Sequence, residues 1–155
     1  MSDQIIDVFK ADRLDAAARL FVSVFNAEPW NDRWSEASVR ARLADVVATP
    51  GFVGVALQAG QDLHGFAIGH TEQWFTGRHF LLQEMCVRTD LQRQGVGAAL
   101  LDALEARLVD VEQIYLLTEQ DGAARRGAAQ RFYERCGFRA ARRTGVMTKR
   151  IPPMP

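Results

Sequence analysis

Apolar residues recur along this chain with two spacings, one typical of helices and one typical of strands. Two stretches carry apolar residues at helical spacing: Leu14, Ala18, Phe21, Val22 and Phe25 in the first, and Val39, Leu43, Val46 and Val47 in the second. Asp12 and Ser35 stand before these stretches as candidate N-cap residues. Phe52 to Leu57 and Leu63 to His70 are apolar runs separated by a polar turn, which predicts a β-hairpin.

The second half of the chain continues the mixture of patterns. Phe80 to Val87 predicts a strand, and Ala98 to Leu108 predicts an amphipathic helix. The remaining predicted elements are a strand at Ile114 to Thr118, a helix at Ala123 to Arg135 ending at Gly137, and a closing hairpin at 138–142 and 146–151. With an edge strand at residues 5–9, the pattern predicts a single α/β (α+β) domain over residues 1–155. We expect one mixed sheet of about six to seven strands with about four helices on its faces.

Charge and composition narrow the function classes. The chain has 155 residues, with 19 Lys and Arg against 19 Asp and Glu, so its charge balance gives no reason to expect nucleic-acid or membrane-surface binding. No apolar run approaches the roughly 20 residues that span a bilayer, and the first residues lack the layout of a secretion signal. Cys86 and Cys136 are expected to be reduced thiols. We therefore expect a cytoplasmic protein.

The segment Gln92-Arg93-Gln94-Gly95-Val96-Gly97, which leads into Ala98, has the composition of an anion-binding turn. A glycine-rich turn at the start of a helix directs several backbone N–H groups to one place, and the helix dipole adds positive potential there. The two glycines let a ligand approach the main chain closely. This arrangement suits a phosphate or pyrophosphate and needs no lysine. Alternatively, the segment is an ordinary helix N-terminus with two glycines.

Two other phosphate-binding motifs do not fit this segment. The letters from Gly95 onward lack the third glycine of a dinucleotide fingerprint, and the gap after Val87 exceeds the tight turn of a Rossmann fold. Since no Gly-Lys-Ser/Thr sequence is present, a P-loop is excluded.

Two motifs together resemble one family. Gln92-x-x-Gly95-x-Gly97 is similar to the acyl-CoA loop of the GCN5-related N-acetyltransferases (GNATs), and Ala129-x-x-Phe132-Tyr133-Glu134-x-x-Gly137-Phe138 resembles their late helix and the strand after it. The resemblance implies the GNAT fold, with splayed central strands that bind acetyl-CoA. The positions that it implies for cofactor binding are Met85, Cys86, Val87, Gln92, Arg93, Gln94, Gly95, Val96, Gly97 and Ala98. The main chain of the first three would pair with the pantetheine arm, and the loop amides would hold the pyrophosphate. Many members carry Asn shortly before the position of Ala129, where this chain has Arg126 or its neighbours.

Glu84 and Tyr133 are the catalytic candidates. Glu84 lies in an apolar strand, where burial can raise the pKa of a carboxyl enough for it to accept a proton from an amine, directly or through a water. It could equally anchor a cationic amine, or be a structural acid. A phenol stays protonated at neutral pH and can protonate a leaving thiolate. In the family the tyrosine that matches Tyr133 points at the cofactor sulfur, whereas the alternative is a tyrosine that packs beside Phe132.

The acceptor-binding candidates are Trp30, Trp34, Glu72 and Glu84, because acids and tryptophans suit a cationic amine. Packing against neighbouring helices is the alternative for the tryptophans. The three histidines and two cysteines lack the spacing of metal ligands, so no metal is expected. His70 is a further candidate for the acceptor cleft, although a strand-end histidine explains it as well. Cys86 is expected to be a small core residue.

The predicted function is acetyl transfer from acetyl-CoA to a small primary amine by direct transfer in a ternary complex. A weaker resemblance to aminoglycoside 6'-N-acetyltransferases makes an aminoglycoside one candidate acceptor. Two alternatives stay open: acetylation of a protein N-terminus or lysine, and a non-catalytic domain that senses acyl-CoA. The sequence also leaves a homodimer open.

Overall fold

The computed structural model describes residues 4–119 and 127–153. The chain divides into two compact units, 1–117 and 118–155. The first unit contains a five-stranded sheet and three α-helices, and the second contains one α-helix. The prediction of a single domain over residues 1–155 stays a prediction.

The sheet is mixed, as the sequence predicts. Its strands are β1 (Gln4–Val8), β2 (Phe52–Ala59), β3 (Asp62–Gln73), β4 (Arg78–Val87) and β5 (Val111–Tyr115). They follow one another in chain order, so β1 is the edge strand that the sequence predicts. All neighbours are antiparallel except β4 and β5, which are parallel and are connected through a helix.

The helices are α1 (Leu14–Phe25), α2 (Glu36–Ala48), α3 (Val96–Glu105) and α4 (Ala128–Arg135). Ser35 caps α2 as predicted, and its hydroxyl and that of Ser38 form a reciprocal capping box. Asp12 does not cap α1, because residues 11–13 form a 3-10 turn and Arg13 takes the cap position. α3 begins two residues before the predicted start and ends three residues before the predicted end. Of the helix predicted from Ala123, residues 123–126 lie outside the described part of the chain.

The two faces of the sheet in the first unit carry different helices. α1 and α2 cover one face and enclose a core that includes Phe66, Ile68 and Cys86. α3 packs on β2 and β3 from the other face, where Leu100 and Leu104 are fully buried. Because β-strand side chains alternate between faces, the pairing of β4 with β3 determines which β4 side chains lie beneath α1 and α2.

Two strand predictions from the second half of the chain were wrong. β5 spans Val111–Tyr115 and not residues 114–118, since its parallel register with β4 selects the earlier residues, and a short apolar run does not specify register. Residues 138–151 form no strand, so the described chain has five strands and not six to seven. Their large apolar side chains, Val146, Met147 and Ile151, are exposed, so little apolar surface is buried there to stabilise a hairpin.

A β-bulge interrupts β4 near its middle. Ile68 pairs with Glu84 while Gly69 pairs with Leu82, which leaves Gln83 as the extra residue. A Cβ atom at Gly69 would lie 1.9 Å from the main-chain oxygen of Leu81, so the close approach of the two strands requires glycine.

β4 and β5 pair over only part of their length. The parallel pairing runs from Arg78 to Leu81 on β4 and reaches Tyr115 on β5. From Leu82 to Val87, β4 has no strand on that side within residues 4–117. This parting agrees with the splayed central strands that the resemblance implies.

We predict that Gly69→Ala lowers the free energy of unfolding by about 1–3 kcal/mol, because the new methyl group meets main chain that cannot move without breaking the β3–β4 ladder. Urea unfolding measures the change. Gly145→Ala is the control, because a Cβ atom there meets open space and we expect a change within about 0.5 kcal/mol. Equal effects of the two substitutions would contradict the tight approach at Gly69.

Candidate functional site

The open edge of β4 offers main-chain groups without a partner in the described chain at two residues: the N–H and C=O of Met85 and the N–H of Val87, whose C=O accepts from Gln92 Nε2. Arg88 N–H donates to His64 O, and strand alternation then turns the main chain of Cys86 toward β3 and that of Met85 and Val87 toward the open side. Three main-chain positions in this segment were predicted to bind the pantetheine arm. The geometry leaves two of them, Met85 and Val87, facing outward.

The loop between β4 and α3 is fastened to the end of β4 by side chains. Gln92 Nε2 donates to Val87 O at 2.9 Å, and Gln94 Nε2 donates to Asp90 O at 2.6 Å. Arg93 and Gly95 both adopt positive φ, at 60° and 83°, which makes the chain turn sharply before the helix. The glutamines of the predicted motif therefore shape the loop through hydrogen bonds of their own.

The start of α3 presents a run of free amides. Gly95 is the N-cap residue and supplies no side-chain hydrogen bond. None of the amides of residues 93–98 donates to an acceptor within the described part of the chain, and the first recorded donor after them is Ala99 N–H, to Gly95 O at 3.0 Å. Unpaired N–H groups at a helix N-terminus attract anions. This geometry can hold a pyrophosphate.

Glu84 lies on the face of the sheet that α1 and α2 cover. Its register partner is Ile68, a core residue of that face, and its side chain is only 10% exposed. Arg42 on α2 reaches it and donates from Nε to Glu84 Oε1. Glu84 thus stands one residue before Met85, whose main chain faces the open edge.

The surroundings of Glu84 shift two acid–base equilibria. Burial raises the pKa of the Glu84 carboxyl above its ordinary value, and the charge and hydrogen bond of Arg42 offset this only in part. Burial also raises the pKa of the Cys86 thiol, and the neighbouring charge of Glu84 adds to that shift. Cys86 is a buried thiol that stays protonated, which agrees with its predicted place in the core.

The tryptophans between α1 and α2 pack at the margin of the core. The Trp34 ring meets Phe21 edge-on at 5.6 Å between centroids, and Trp30 meets Phe25 at 5.1 Å. Trp34 also lies beside the Glu84 pair, because Arg42 Cζ is 5.8 Å from its ring centroid. The structure therefore brings Trp34 and Glu84 together through Arg42. Their roles in acceptor binding stay predictions, as does that of Trp30.

Glu72 belongs to a second polar cluster on the same sheet face. The Tyr115 hydroxyl donates to Glu72 Oε2 at 2.7 Å, Trp74 Nε1 donates to the same oxygen at 3.4 Å, and His70 Nε2 lies 3.2 Å from Oε1. The Tyr115 hydrogen bond lowers the pKa of Glu72, while burial and the Glu72 carboxylate raise the pKa of Tyr115 to about 12. Glu72 is thus ionised and already bound, and its predicted contact with an acceptor stays a prediction.

The sequence analysis did not identify Arg42 and Tyr115, which bind the candidate acids Glu84 and Glu72. Each contacts a candidate acid far away in the chain, and no local pattern marks such a pair. Tyr115 is the last residue of β5, where β4 and β5 part, but the strand predicted at 114–118 did not place it there. His70, named for the acceptor cleft, is bound to Glu72 through Nε2, and its buried Nδ1 has no hydrogen-bond partner within the described chain.

Tyr133 lies on α4, in the second compact unit. Its ring packs against Phe132 at 5.1 Å and against Phe138 at 5.5 Å. Gly137 follows the helix with a φ of 94°, the left-handed conformation that the sequence predicts. The role of Tyr133 as a proton donor stays a prediction.

Two further observations cover the described residues 4–119 and 127–153. No helix there is long and apolar enough to cross a bilayer. No cluster of three or more His, Cys, Asp or Glu in the same residues is arranged to hold a metal ion.

Residues 49–140, more than half of the chain, match the family model of the acetyltransferase (GNAT) domain. None of the curated proteins matches the sequence significantly.

Solved structures resemble the chain over nearly its whole length. A "possible acetyltransferase" from Clostridium difficile 630 aligns with a TM-score of 0.77 at 12% identity, over 96% of this chain and 99% of that one. The aminoglycoside N-acetyltransferase AAC(6')-Iy, solved with CoA, aligns with a TM-score of 0.72 at 15% identity, over 97% of both chains. The aminoglycoside acetyltransferase meta-AAC0020, from an uncultured soil metagenomic sample, gives 0.67 at 17% identity, over 96% and 97%. At these identities the likeness shows the fold.

We predict that Arg42→Met raises the pKa of Glu84 further, because it removes the guanidinium that favours the carboxylate. Carbon-13 NMR titration of the Glu84 carboxyl measures the change. Arg40→Met is the control, since Arg40 lies on the same helix but pairs with Asp15 at 2.6 Å.

Because the folded-state pKa of Glu84 lies above the unfolded value, its contribution to stability is complete below the unfolded pKa and is lost as pH rises through the folded pKa. A Glu84 pKa at or below the ordinary glutamate value in the wild-type protein would contradict this electrostatic description.

Proposed function

This chain belongs to the GNAT family of acetyltransferases and is an acyltransferase, and from that premise we propose that it transfers the acetyl group of acetyl-CoA to the primary amine of a small molecule. The observation that carries the proposal is the position of Glu84. A buried carboxylate with a raised pKa stands one residue from the main chain that faces the open edge of β4. A proton acceptor and a binding edge for the acyl donor therefore share one strand.

Two sets of main-chain groups support acetyl-CoA as the donor. The outward N–H and C=O groups of Met85 and the outward N–H of Val87 can pair with the amides of the pantetheine arm, as an added strand would. The amides of residues 93–98 can hold the pyrophosphate. A CoA complex of a structurally similar enzyme adds support. Use of this donor also fits a cytoplasmic location.

Transfer of the acetyl group exchanges its C–S bond for a C–N bond and requires proton transfers to and from the reacting atoms. Glu84 accepts a proton from the bound ammonium, directly or through a water, which frees the nitrogen lone pair. The nitrogen attacks the thioester carbonyl carbon, so a C–N bond forms and the C–S bond breaks. The phenol of Tyr133 donates its proton to the departing thiolate, and the second proton that the nitrogen loses as the amide forms returns to the Tyr133 phenolate through solvent. Cys86 forms no acyl intermediate in this scheme, because its thiol is buried and stays protonated.

The carboxylates on this face of the sheet favour a cationic amine as the acceptor. Glu84 and Glu72 lie on the same sheet face, and the indole of Trp34 lies beside Arg42, which pairs with Glu84. An ammonium group gains from a carboxylate and from the face of an aromatic ring. Two structurally similar enzymes are aminoglycoside acetyltransferases, which supports a polyamine sugar as one acceptor to test.

A free-thiol release assay distinguishes this function from its alternatives. The purified protein is mixed with acetyl-CoA and, in parallel, with kanamycin, with a lysine-containing peptide or with no amine. Thiol release that requires kanamycin supports a small-amine acceptor. Release with the peptide alone would favour a protein acceptor, and CoA binding without release in any mixture would favour a sensor domain.

We predict that Gly97→Asp weakens CoA binding by about tenfold or more, since a carboxylate would face the pyrophosphate at the start of α3 and remove charge-assisted hydrogen bonds. Calorimetry measures the affinity. Folding should be preserved, because an acidic residue in the first turn of a helix is favourable. Gly97→Ala is the control for bulk without charge, and unchanged affinity in Gly97→Asp would refute the loop assignment.

We predict that Tyr133→Phe lowers turnover about 100-fold, the scale of a lost general acid, while CoA affinity stays nearly intact. Phenylalanine keeps the ring that packs on Phe132 and Phe138, so the substitution removes only the hydroxyl. Steady-state thiol release and calorimetry measure the two quantities. Turnover equal to that of the wild type would mean that another group or a water protonates the sulfur.

A further inference from the structure

The contacts of Arg42 resemble those that a substrate ammonium group would make. Its Nε donates to the buried carboxylate of Glu84, and its Cζ lies 5.8 Å from the ring centroid of Trp34. A carboxylate on one side and an aromatic face on the other are the two features by which proteins bind organic cations. Here a side chain of the protein itself occupies that place.

The aromatic side of this place is held firmly. The main chain of Trp34 exchanges two hydrogen bonds with the Asn26 side chain, at 2.8 and 2.9 Å, and Trp34 Nε1 donates to Asp32 at 3.1 Å. The edge contact with Phe21 fixes the ring further. Trp34 thus keeps its position whether or not the guanidinium is beside it.

The guanidinium, in contrast, is held weakly. The Arg42 side chain is 46% exposed, and within the described chain it meets Glu84 through Nε alone. Arg88, by comparison, contacts both oxygens of Asp90, at 2.6 and 3.0 Å. A half-exposed guanidinium with one hydrogen bond stays in contact with water, so a competing cation can displace it. The carboxylate that would be left behind is buried, so it then binds a new cation or takes up a proton.

Trp34 is held firmly, whereas the guanidinium of Arg42 is held weakly. We therefore infer that Arg42 occupies the acceptor position in the free protein. The ammonium group of a cationic primary amine then displaces the guanidinium from its place between Glu84 and Trp34. The inference rests on the proposed function, since it names the class of acceptor that the same site selects. A neutral acceptor cannot replace the charge of Arg42 beside the buried carboxylate. The pair therefore discriminates against uncharged molecules.

NMR titration with benzylammonium chloride tests the displacement without requiring catalysis. The probe carries one cationic primary amine beside a ring, and benzyl alcohol is the uncharged control. We expect benzylammonium, and not benzyl alcohol, to shift the Trp34 Nε1–H and Arg42 Nε–H resonances. Shifts in neither resonance at saturating probe would overturn the inference, and so would equal shifts with the alcohol.

Variants of Arg42 then measure the competition between its guanidinium and benzylammonium for the carboxylate of Glu84. Arg42→Met keeps the aliphatic stem and removes the charge, so we expect the dissociation constant of benzylammonium to fall about two- to fivefold, the worth of a half-exposed ion pair. Arg42→Lys keeps a competing cation and should bind nearly as the wild type does. Arg40→Met, whose ion pair with Asp15 lies on the surface, should also leave the constant unchanged. Unchanged or weaker binding by Arg42→Met would overturn the inference.

The outcomes separate this inference from the proposed function. If Arg42→Met binds the probe more tightly but no amine releases thiol from acetyl-CoA, the displacement stands and the transferase proposal fails. If amines release thiol but Arg42→Met binds the probe as the wild type does, the transferase stands and the displacement fails.

Discussion

The parting of β4 from β5 after Leu81 is the constraint on which the rest of this site depends. Main-chain N–H and C=O groups inside a protein need partners, and a strand without a neighbour leaves a row of them unmet. Within residues 4–117, the outward N–H and C=O groups of Met85 and the N–H group of Val87 are such a row. The fold thus presents a strand edge that an extended ligand with amides of its own can complete.

The same strand carries Glu84, the proposed proton acceptor, and the bulge at Gln83 sets the face on which its side chain lies. The extra residue reverses the alternation of β4, so that Glu84 and Cys86 face the core beneath α1 and α2. Gly69 makes the bulge possible by allowing the main chains of β3 and β4 to approach closely. A buried carboxylate costs stability, and burial raises its pKa. Acceptance of a proton, the role proposed for Glu84, would make use of this raised pKa.

Local patterns predicted much of this structure. The N-cap at Ser35, the β2–β3 hairpin, and the order of strand, loop and α3 follow from neighbouring residues alone. The bulge, the Arg42–Glu84 pair and the Tyr115–Glu72 hydrogen bond do not, since each joins residues far apart in the chain. The C-terminal hairpin was predicted from apolar letters that the structure leaves exposed. Apolar residues indicate a strand only where a partner surface buries them.

The central claim is that main-chain groups of the open β4 edge and of the α3 entrance bind coenzyme A. Amide hydrogen exchange by NMR, with and without saturating CoA, tests it most directly. We predict slower exchange at Met85, at Val87 and across residues 93–98, because their N–H groups acquire acceptors. If calorimetry shows that CoA binds while exchange at these amides is unchanged, the ligand lies elsewhere and the account is contradicted.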